Sequence, residues 1–153
     1  MYADGSAYEG DWADNQRQGE GILYKVNGDR YEGQFDANVE AGTGVYFWED
    51  GGHFEGEWQG GKIHGRGIRS WPDGTHYEGE YKNGQHEGHG IKTFSSGNKY
   101  DGNWSHGMKN GKGVFTWVSG TRYAGQYVND KQQGFGIKTW ASGDRYEGEW
   151  HED

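Results

Sequence analysis

Aromatic residues, glycines and charges alternate along this chain in a pattern that returns every 23 residues. Tyr8, Tyr31, Phe54, Tyr77, Tyr100, Tyr123 and Tyr146 are evenly spaced. Each is followed two residues later by glycine, at Gly10, Gly33, Gly56, Gly79, Gly102, Gly125 and Gly148. Four residues after each comes a second aromatic: Trp12, Phe35, Trp58, Tyr81, Trp104, Tyr127 and Trp150. In residues 29–35 the aromatics and glycine fall on one side and polar residues on the other, the period of two that marks a strand with distinct faces. A glycine pair, such as Gly42/Gly44 or Gly65/Gly67, opens a second β-rich stretch holding Ile22, Val45, Ile68, Ile91, Val114 and Ile137 in the successive units.

Polar dipeptides such as Asn83-Gly84 and His106-Gly107 separate the two halves of a unit. Others, among them Asn27-Gly28, Asp50-Gly51 and Asp73-Gly74, separate successive units. Such dipeptides are hairpin-turn signals because glycine tolerates positive φ. Each unit therefore reads as one β-hairpin, and a fixed period of this length marks a repeat architecture. Six full hairpins and a seventh first strand predict about 13 strands, a stack on the order of 60 Å long at ~4.8 Å per strand. It is expected to twist and curve. The 31 glycines and the lack of a 3.6-residue apolar period argue against helix. The in-strand glycines leave room for an aromatic from the neighbouring strand to lie across the backbone. The pattern leaves the register open: the Tyr/Trp face could lie beside the glycine pair or beside the Ile/Val column, and a one-residue slip exchanges the two.

Composition changes one part of this picture. Leu, Ile, Val and Phe total only 18 residues against a net charge of -9, a balance that ordinarily favours disorder. Eight Trp, 11 Tyr and 6 Phe supply the missing bulk, at about 150–250 Å² each. That suffices for a thin structure and not for a thick two-layer core. There is no cysteine, so disulfides and thiolate metal sites are excluded. The longest apolar runs fall far short of the roughly 18 residues of a membrane span, and the opening Met1-Tyr2-Ala3-Asp4-Gly5 is too polar for a signal peptide. The acidic balance disfavours nucleic acid and anionic lipid as general partners.

The units Tyr77-Glu78-Gly79-Glu80-Tyr81-Lys82-Asn83-Gly84 with Gly88-His89-Gly90-Ile91, and Tyr8-Glu9-Gly10-Asp11-Trp12 with Gly19-Glu20-Gly21-Ile22, resemble the MORN repeat (membrane occupation and recognition nexus), as does every other unit. The resemblance covers essentially all of residues 1–153. Repeats start at Tyr8, Tyr31, Phe54, Tyr77, Tyr100 and Tyr123, with a partial one from Tyr146. It implies an all-β, elongated, twisted single-layer antiparallel sheet of stacked hairpins, a MORN-repeat solenoid with a groove along one side. It also implies a scaffold for cytoskeletal, ciliary or membrane-proximal assemblies that binds partner helices or peptides and self-associates. The lipid kinase and lysine methyltransferase domains that accompany such arrays elsewhere are not read in this sequence. Phe54 for Tyr, Ala124 for the acid, and Gly51-Gly52, expected to loosen one linker, are the departures.

The expected binding groove is lined by the aromatic columns Tyr8, Trp12, Tyr31, Phe35, Phe54, Trp58, Tyr77, Tyr81, Tyr100, Trp104, Tyr123 and Tyr127. A basic column, Arg30, His53, His76, Lys99, Arg122 and Arg145, precedes the first aromatics, and an acid follows them on the same side of the strand. These should form charge columns on a solvated face, with cross-strand pairs worth ~0.2–1 kcal/mol. Little else suggests chemistry. Residues 56–62 have P-loop spacing, but Ile63 stands where Ser or Thr is required and no helix follows. His86 and His89, with His64 or His106 nearby, lack a third convincing zinc ligand. The sequon Asn103-Trp104-Ser105 falls in a strand. Carboxylates are spread evenly, whereas a catalytic site would break the repeat. No enzyme, metal or cofactor is read.

Three functions are compatible with this pattern to different degrees. The first is a cytoplasmic, cytoskeleton- or cilium-associated scaffold that binds a protein segment in the groove. Tyr2 and Gly5 are in phase with a preceding unit, and the sequence stops within a seventh. The array is thus expected to be a piece of a longer one, or to form homo-oligomers through its open ends. The second is a phosphoinositide or membrane module, opposed by the alternation of 24 acids with 15 bases. The third, a glycan- or choline-binding array, requires aromatic cages at repeat boundaries and a different consensus.

Overall fold

A computed structural model describes residues 2–151; Met1, Glu152 and Asp153, at the predicted ends of the array, lie outside them. Thirteen strands follow one another in chain order in one open sheet, and no helix occurs among the described residues. They are β1 (Ala7–Ala13), β2 (Gln16–Tyr24), β3 (Arg30–Asp36), β4 (Val39–Phe47), β5 (His53–Gln59), β6 (Lys62–Ser70), β7 (His76–Lys82), β8 (Gln85–Thr93), β9 (Lys99–Ser105), β10 (Met108–Thr116), β11 (Arg122–Val128), β12 (Lys131–Thr139) and β13 (Arg145–Trp150). The fold is all-β, built of antiparallel hairpins. Contacts group into two compact units, one running to Pro72 with Tyr81–Gly84, the other comprising Asp73–Glu80 and the chain from Gln85 onward.

Register is the question the sequence left open, and the structure answers it. Gly33 lies opposite Gly44 and Tyr31 opposite Tyr46, while Glu32 faces Val45. The same glycine-to-glycine pairing joins Gly10 to Gly21, Gly56 to Gly67 and Gly102 to Gly113. The aromatics therefore share a face with the second glycine of each pair, and the Ile/Val column shares the opposite face with the acids. Tyr31 lies over both glycines: a Cβ on Gly44 would sit 2.4 Å from the Tyr31 hydroxyl oxygen, and one on Gly33 only 2.4 Å from Gly44 Cα. Any side chain there would expel the ring.

The first glycine of each pair has a different role. Gly42 adopts φ 59° within a β-bulge, where the register shifts just past Gly33. The bulge exposes an N–H that a side chain on the adjacent strand accepts. Gln34 Oε1 takes it from Thr43 at 3.1 Å, Glu57 Oε1 from Arg66 at 3.2 Å, and Asp11 Oδ2 from Glu20 at 3.2 Å.

Two turn types alternate. Within hairpins, two-residue loops such as Ala37-Asn38, Asn83-Gly84 and His106-Gly107 have positive φ at both positions, the twist that suits a tight hairpin. Their second residue bonds back to the previous hairpin, as Asn38 N does to Arg17 O at 3.0 Å and Gly107 N to His86 O at 3.0 Å. Between hairpins, a type I turn ends in a glycine bulge: Gly28 N donates to Lys25 O at 3.1 Å and Lys25 N to Asp29 O at 2.9 Å. The linker at Gly51-Gly52, expected to be looser, has the same two bonds. Gly52 is buried, and its N–H donates to Asp50 Oδ1 at 2.8 Å.

The core is a ladder of edge-to-face rings. In the first unit Tyr8 meets Phe35 at 5.0 Å, Tyr31 meets Trp58 at 5.1 Å, and Phe54 meets Tyr81 at 5.3 Å. In the second, Tyr77 meets Trp104 at 5.5 Å, Tyr100 meets Tyr127 at 5.2 Å, and Tyr123 meets Trp150 at 5.3 Å. Each such pair contributes about 0.5–1.5 kcal/mol beyond its buried area. The polar tips are satisfied by backbone. Tyr31, Tyr77, Tyr100 and Tyr123 hydroxyls donate to the carbonyl three residues on, at 2.9–3.0 Å. The Trp58, Trp104 and Trp150 indoles donate to Gly44, Gly90 and Gly136 carbonyls of the preceding hairpins at 3.0–3.3 Å.

Two substitutions test this account. Gly113→Ala would place its methyl 2.3 Å from the Tyr100 hydroxyl oxygen and 2.5 Å from the ring, and should cost roughly 2–3 kcal/mol by overpacking, read as a lower urea midpoint. Ala37, held at φ 46° without the excuse of being Asn or Gly, should be improved. Ala37→Asn is expected to raise stability by about 0.5–1 kcal/mol.

Candidate functional site

The predicted groove columns are mostly not surface. Tyr31, Phe54, Tyr77, Tyr100 and Tyr123 have no exposure, and Phe35, Trp58, Tyr81, Trp104 and Tyr127 are also buried. Tyr8 is half-buried, and Trp12, on edge strand β1, is 52% exposed. A partner approaching this face meets the side chains that cover the rings. Arg17 sits over Tyr8 at 5.7 Å and Phe35 at 5.3 Å. His86 stacks on Tyr77 at 3.7 Å, and Lys109 lies over Tyr127 at 5.3 Å. Long polar side chains laying their stems on apolar surface explain how a single sheet buries one face.

Burial sets the protonation of this layer. It raises the Tyr31, Tyr77, Tyr100 and Tyr127 hydroxyls well above the ordinary phenol range, with nearby carboxylates adding to the shift at the first three. It lowers the Lys109 ammonium, against the pull of Asp130.

The binding columns read from the sequence left out a third aromatic column, on the tyrosine face. Trp48, Trp71, Phe94, Trp117 and Trp140 also recur every 23 residues. They stand at the turns between hairpins on the tyrosine side, and the same spacing could have revealed them. Cations lie against them. In the first unit Arg69 is sandwiched between Trp48 at 4.3 Å and Trp71 at 4.6 Å. Its Nε is buried with no hydrogen-bond partner, and burial lowers its pKa. In the second, Lys138 lies 5.1 Å from Trp117, 5.5 Å from Trp140 and 5.6 Å from Trp150. Lys109, Phe115, Trp117, Lys138 and Trp150 line an open cavity of about 310 Å³ there, with Asp130 at its rim.

The residues of the basic column lie on the opposite face. Arg30 pairs with Glu32 at 2.9 Å, and Arg145 pairs with Glu147. His53 stands beside Phe47, with ring centres 6.2 Å apart; His76, Lys99 and Arg122 occupy the equivalent strand-opening positions. Gly10, Gly33, Gly56, Gly79, Gly102, Gly125 and Gly148 are the in-strand glycines beneath the tyrosine or phenylalanine rings.

The histidine pair does not converge. His86 is on the tyrosine face, whereas His89 Nε2 lies 2.9 Å from Asp101 Oδ1 on the other. No metal-binding group of three or more side chains exists among the described residues. Residues 56–62 run from strand β5 through a hairpin loop into β6, which gives no phosphate cradle. None of the described helices could cross a membrane, since there are none.

These features define a class: an antiparallel array of repeated hairpins with a buried aromatic spine and two chemically different faces. The MORN repeat model matches residues 8–30, 31–53, 54–76, 77–99, 100–122, 123–145 and 146–153, so the chain belongs to the MORN-repeat family. Among solved structures it is similar to the TCP domain of Drosophila melanogaster SAS-4 (dCPAP), in complex with a proline-rich motif of Ana2 (dSTIL). The identity is 15%, covering 97% of this chain and 81% of that one, with a TM-score of 0.57. The wild-type TCP10 domain of Danio rerio CPAP, 17% identical over 95% of this chain and 79% of its own, reaches a TM-score of only 0.32. The likeness to SAS-4 is one of fold. No curated protein matches the sequence.

Burial of the tyrosines has a pH consequence. Their folded-state pKa values are raised above the ordinary phenol value of 10.0, so the stabilisation is intact below that pH. It is lost as pH rises from the unfolded value towards the folded ones. An alkaline titration at 295 nm should show a late, cooperative phenolate step coinciding with loss of near-ultraviolet circular dichroism. Smooth independent ionisation at the unperturbed value would contradict the buried spine.

Proposed function

We propose that this array is a non-catalytic scaffold that receives an extended segment of a protein partner along the aromatic and cationic groove of its tyrosine face. The observation carrying this reading is the row of turn aromatics interleaved with cations. Trp117, Trp140 and Trp150 stand around Lys138 beside an open cavity. Indole walls suit the ring faces of prolines in a polyproline II segment, which loses little entropy on binding. Lys109 and Lys138 suit carboxylates on the same segment. The proline-rich motif bound to the SAS-4 domain supports an extended ligand of this type, and membership of the MORN-repeat family favours a cytoskeletal or ciliary assembly. The phosphoinositide reading draws on the same lysines.

Fluorescence anisotropy with labelled proline-rich peptides, with and without flanking acids, tests the groove. Saturable binding that Trp117→Ala and Lys138→Ala each weaken by about tenfold or more is expected. Vesicles containing phosphoinositide should not compete with the peptide. Binding indifferent to Trp117→Ala would sink the proposal, and vesicle binding lost in Lys138→Ala would put the lipid reading in its place.

A further inference from the structure

The face opposite the tyrosines has a regular rule, and the second unit breaks it at one place. In the first unit every aliphatic of the central row is separated from the next by a carboxylate. Glu9 faces Ile22, Ile22 faces Glu32, Glu32 faces Val45, and Val45 faces Glu55, which faces Ile68. In the second unit Ala124 takes the place of the acid. It lies between Val114 on one neighbouring strand and Ile137 on the other. Three adjacent strands thus place three apolar side chains side by side.

A second departure adjoins the first. The residue between the paired glycines is Glu20, Thr43, Arg66, His89 or Lys112 in the other hairpins, and Phe135 here. Phe135 is 49% exposed and stands two residues before Ile137 on the same face. Together these residues line an open cavity of about 660 Å³, whose polar wall includes His89, Asp101 and Lys112. Neither departure serves the fold, because the spine lies on the other side of the sheet.

Fewer unpaired carboxylates surround the floor of the patch than surround the same row in the first unit. Asp101, the nearest acid on one flank, is held by His89 at 2.9 Å, and Glu147 on the other by Arg145. Asn103 and Gln126 occupy a column that is acidic at Asp11, Glu57 and Glu80 and neutral at Gln34; it turns acidic again at Glu149, opposite Phe135, which bounds the patch on that side. Lys99, Lys112 and Arg122 are exposed, and none is in an ion pair among the described residues. An apolar floor with a free cationic rim, on a chain of net charge -9, selects its ligand by complementarity. Like-charge repulsion from the carboxylates of the remaining face would keep such a ligand out of the other repeats.

We infer that this patch is a second docking surface, independent of the tyrosine-face groove. Its occupant is a segment of another protein that presents apolar side chains bracketed by carboxylates. Phe135 supplies the exposed aromatic anchor, Val114, Ala124 and Ile137 the floor, and Lys112 and Arg122 the charges that orient the segment.

The test uses the full chain and a fluorescein-labelled peptide with a Leu-Phe-Leu core between pairs of Glu. Two control peptides carry Lys for Glu, or Ser for the apolar core. The acidic apolar peptide should bind about tenfold or more tightly than either control, and high salt should weaken it. Its amide shift changes should centre on Val114, Ala124 and Ile137. Ala124→Glu and Phe135→Lys should each weaken binding by about tenfold or more, while Trp117→Ala on the other face leaves it unchanged. Both variants restore residue types that other hairpins carry, so unchanged melting curves are expected and the loss is not one of folding. Equal binding of the Lys peptide, indifference to Ala124→Glu, or no shift changes at these residues would overturn the proposal. So would a concentration-dependent dimer that Ala124→Glu dissolves, since that would assign the face to a second copy of the chain.

Discussion

The rest of this structure depends on one steric fit: an aromatic ring lying over two opposed glycines. With Gly33 opposite Gly44 there is no Cβ on either strand, and the Tyr31 ring rests where those atoms would be. Its hydroxyl reaches the Gln34 carbonyl at 3.0 Å, so the ring is pinned at both ends. The second aromatic of the next hairpin then meets this ring edge-on and donates its indole N–H to the Gly44 carbonyl. Intra-hairpin register and inter-hairpin packing are thus two consequences of the same pair of glycines. A residue with a side chain at either position would disturb both at once.

Burying the spine assigns different work to the two faces. On the tyrosine side the rings are covered by His86, Arg17 and Lys109, and the accessible chemistry passes to the turn aromatics and the cations beside them. A cation held against aromatic faces loses part of its hydration and keeps its charge, which suits it to a ligand that brings a carboxylate. The opposite face contributes nothing to the spine beyond its backbone. Its side chains are consequently free to carry recognition.

Much of this was readable in the sequence. The hairpins and both sets of turns follow from residue spacing, because period-two alternation and positive-φ dipeptides have few other interpretations. Register was not readable, since the tyrosine column could face glycine or valine until the pairing Glu32 with Val45 was seen. The aromatic columns looked like an open groove because their covers, such as Arg17, His86 and Lys109, read as surface residues. Only in the folded sheet do their stems and rings lie on the aromatic spine. Trp48, Trp71, Phe94, Trp117 and Trp140 recur at the repeat spacing, but lie in the turns, outside the alternating strand motif that marks the faces. The His86/His89 pair was separated by the strand's own alternation, which places residues three apart on opposite faces.

Repetition also determines where this molecule can become specific. In an array stabilised mainly by nearest-neighbour contacts, each hairpin must keep the features that join it to the next. Substitution of Gly136 or Tyr123 would be felt in two hairpins, as the ring of Tyr123 rests on Gly136 and also meets Trp150. Ala124, between those strands' glycines and rings in sequence but on the other side of the sheet, is under no such obligation. Phe54 shows how narrow the tolerance is on the spine side: it keeps the ring and gives up only the hydroxyl. Departures that change polarity, such as Ala124 and Phe135, can accumulate only on the face the spine does not use. Partner choice is therefore concentrated where the repeat is least constrained, which makes the broken acid row around Ala124 more informative than the columns that never vary.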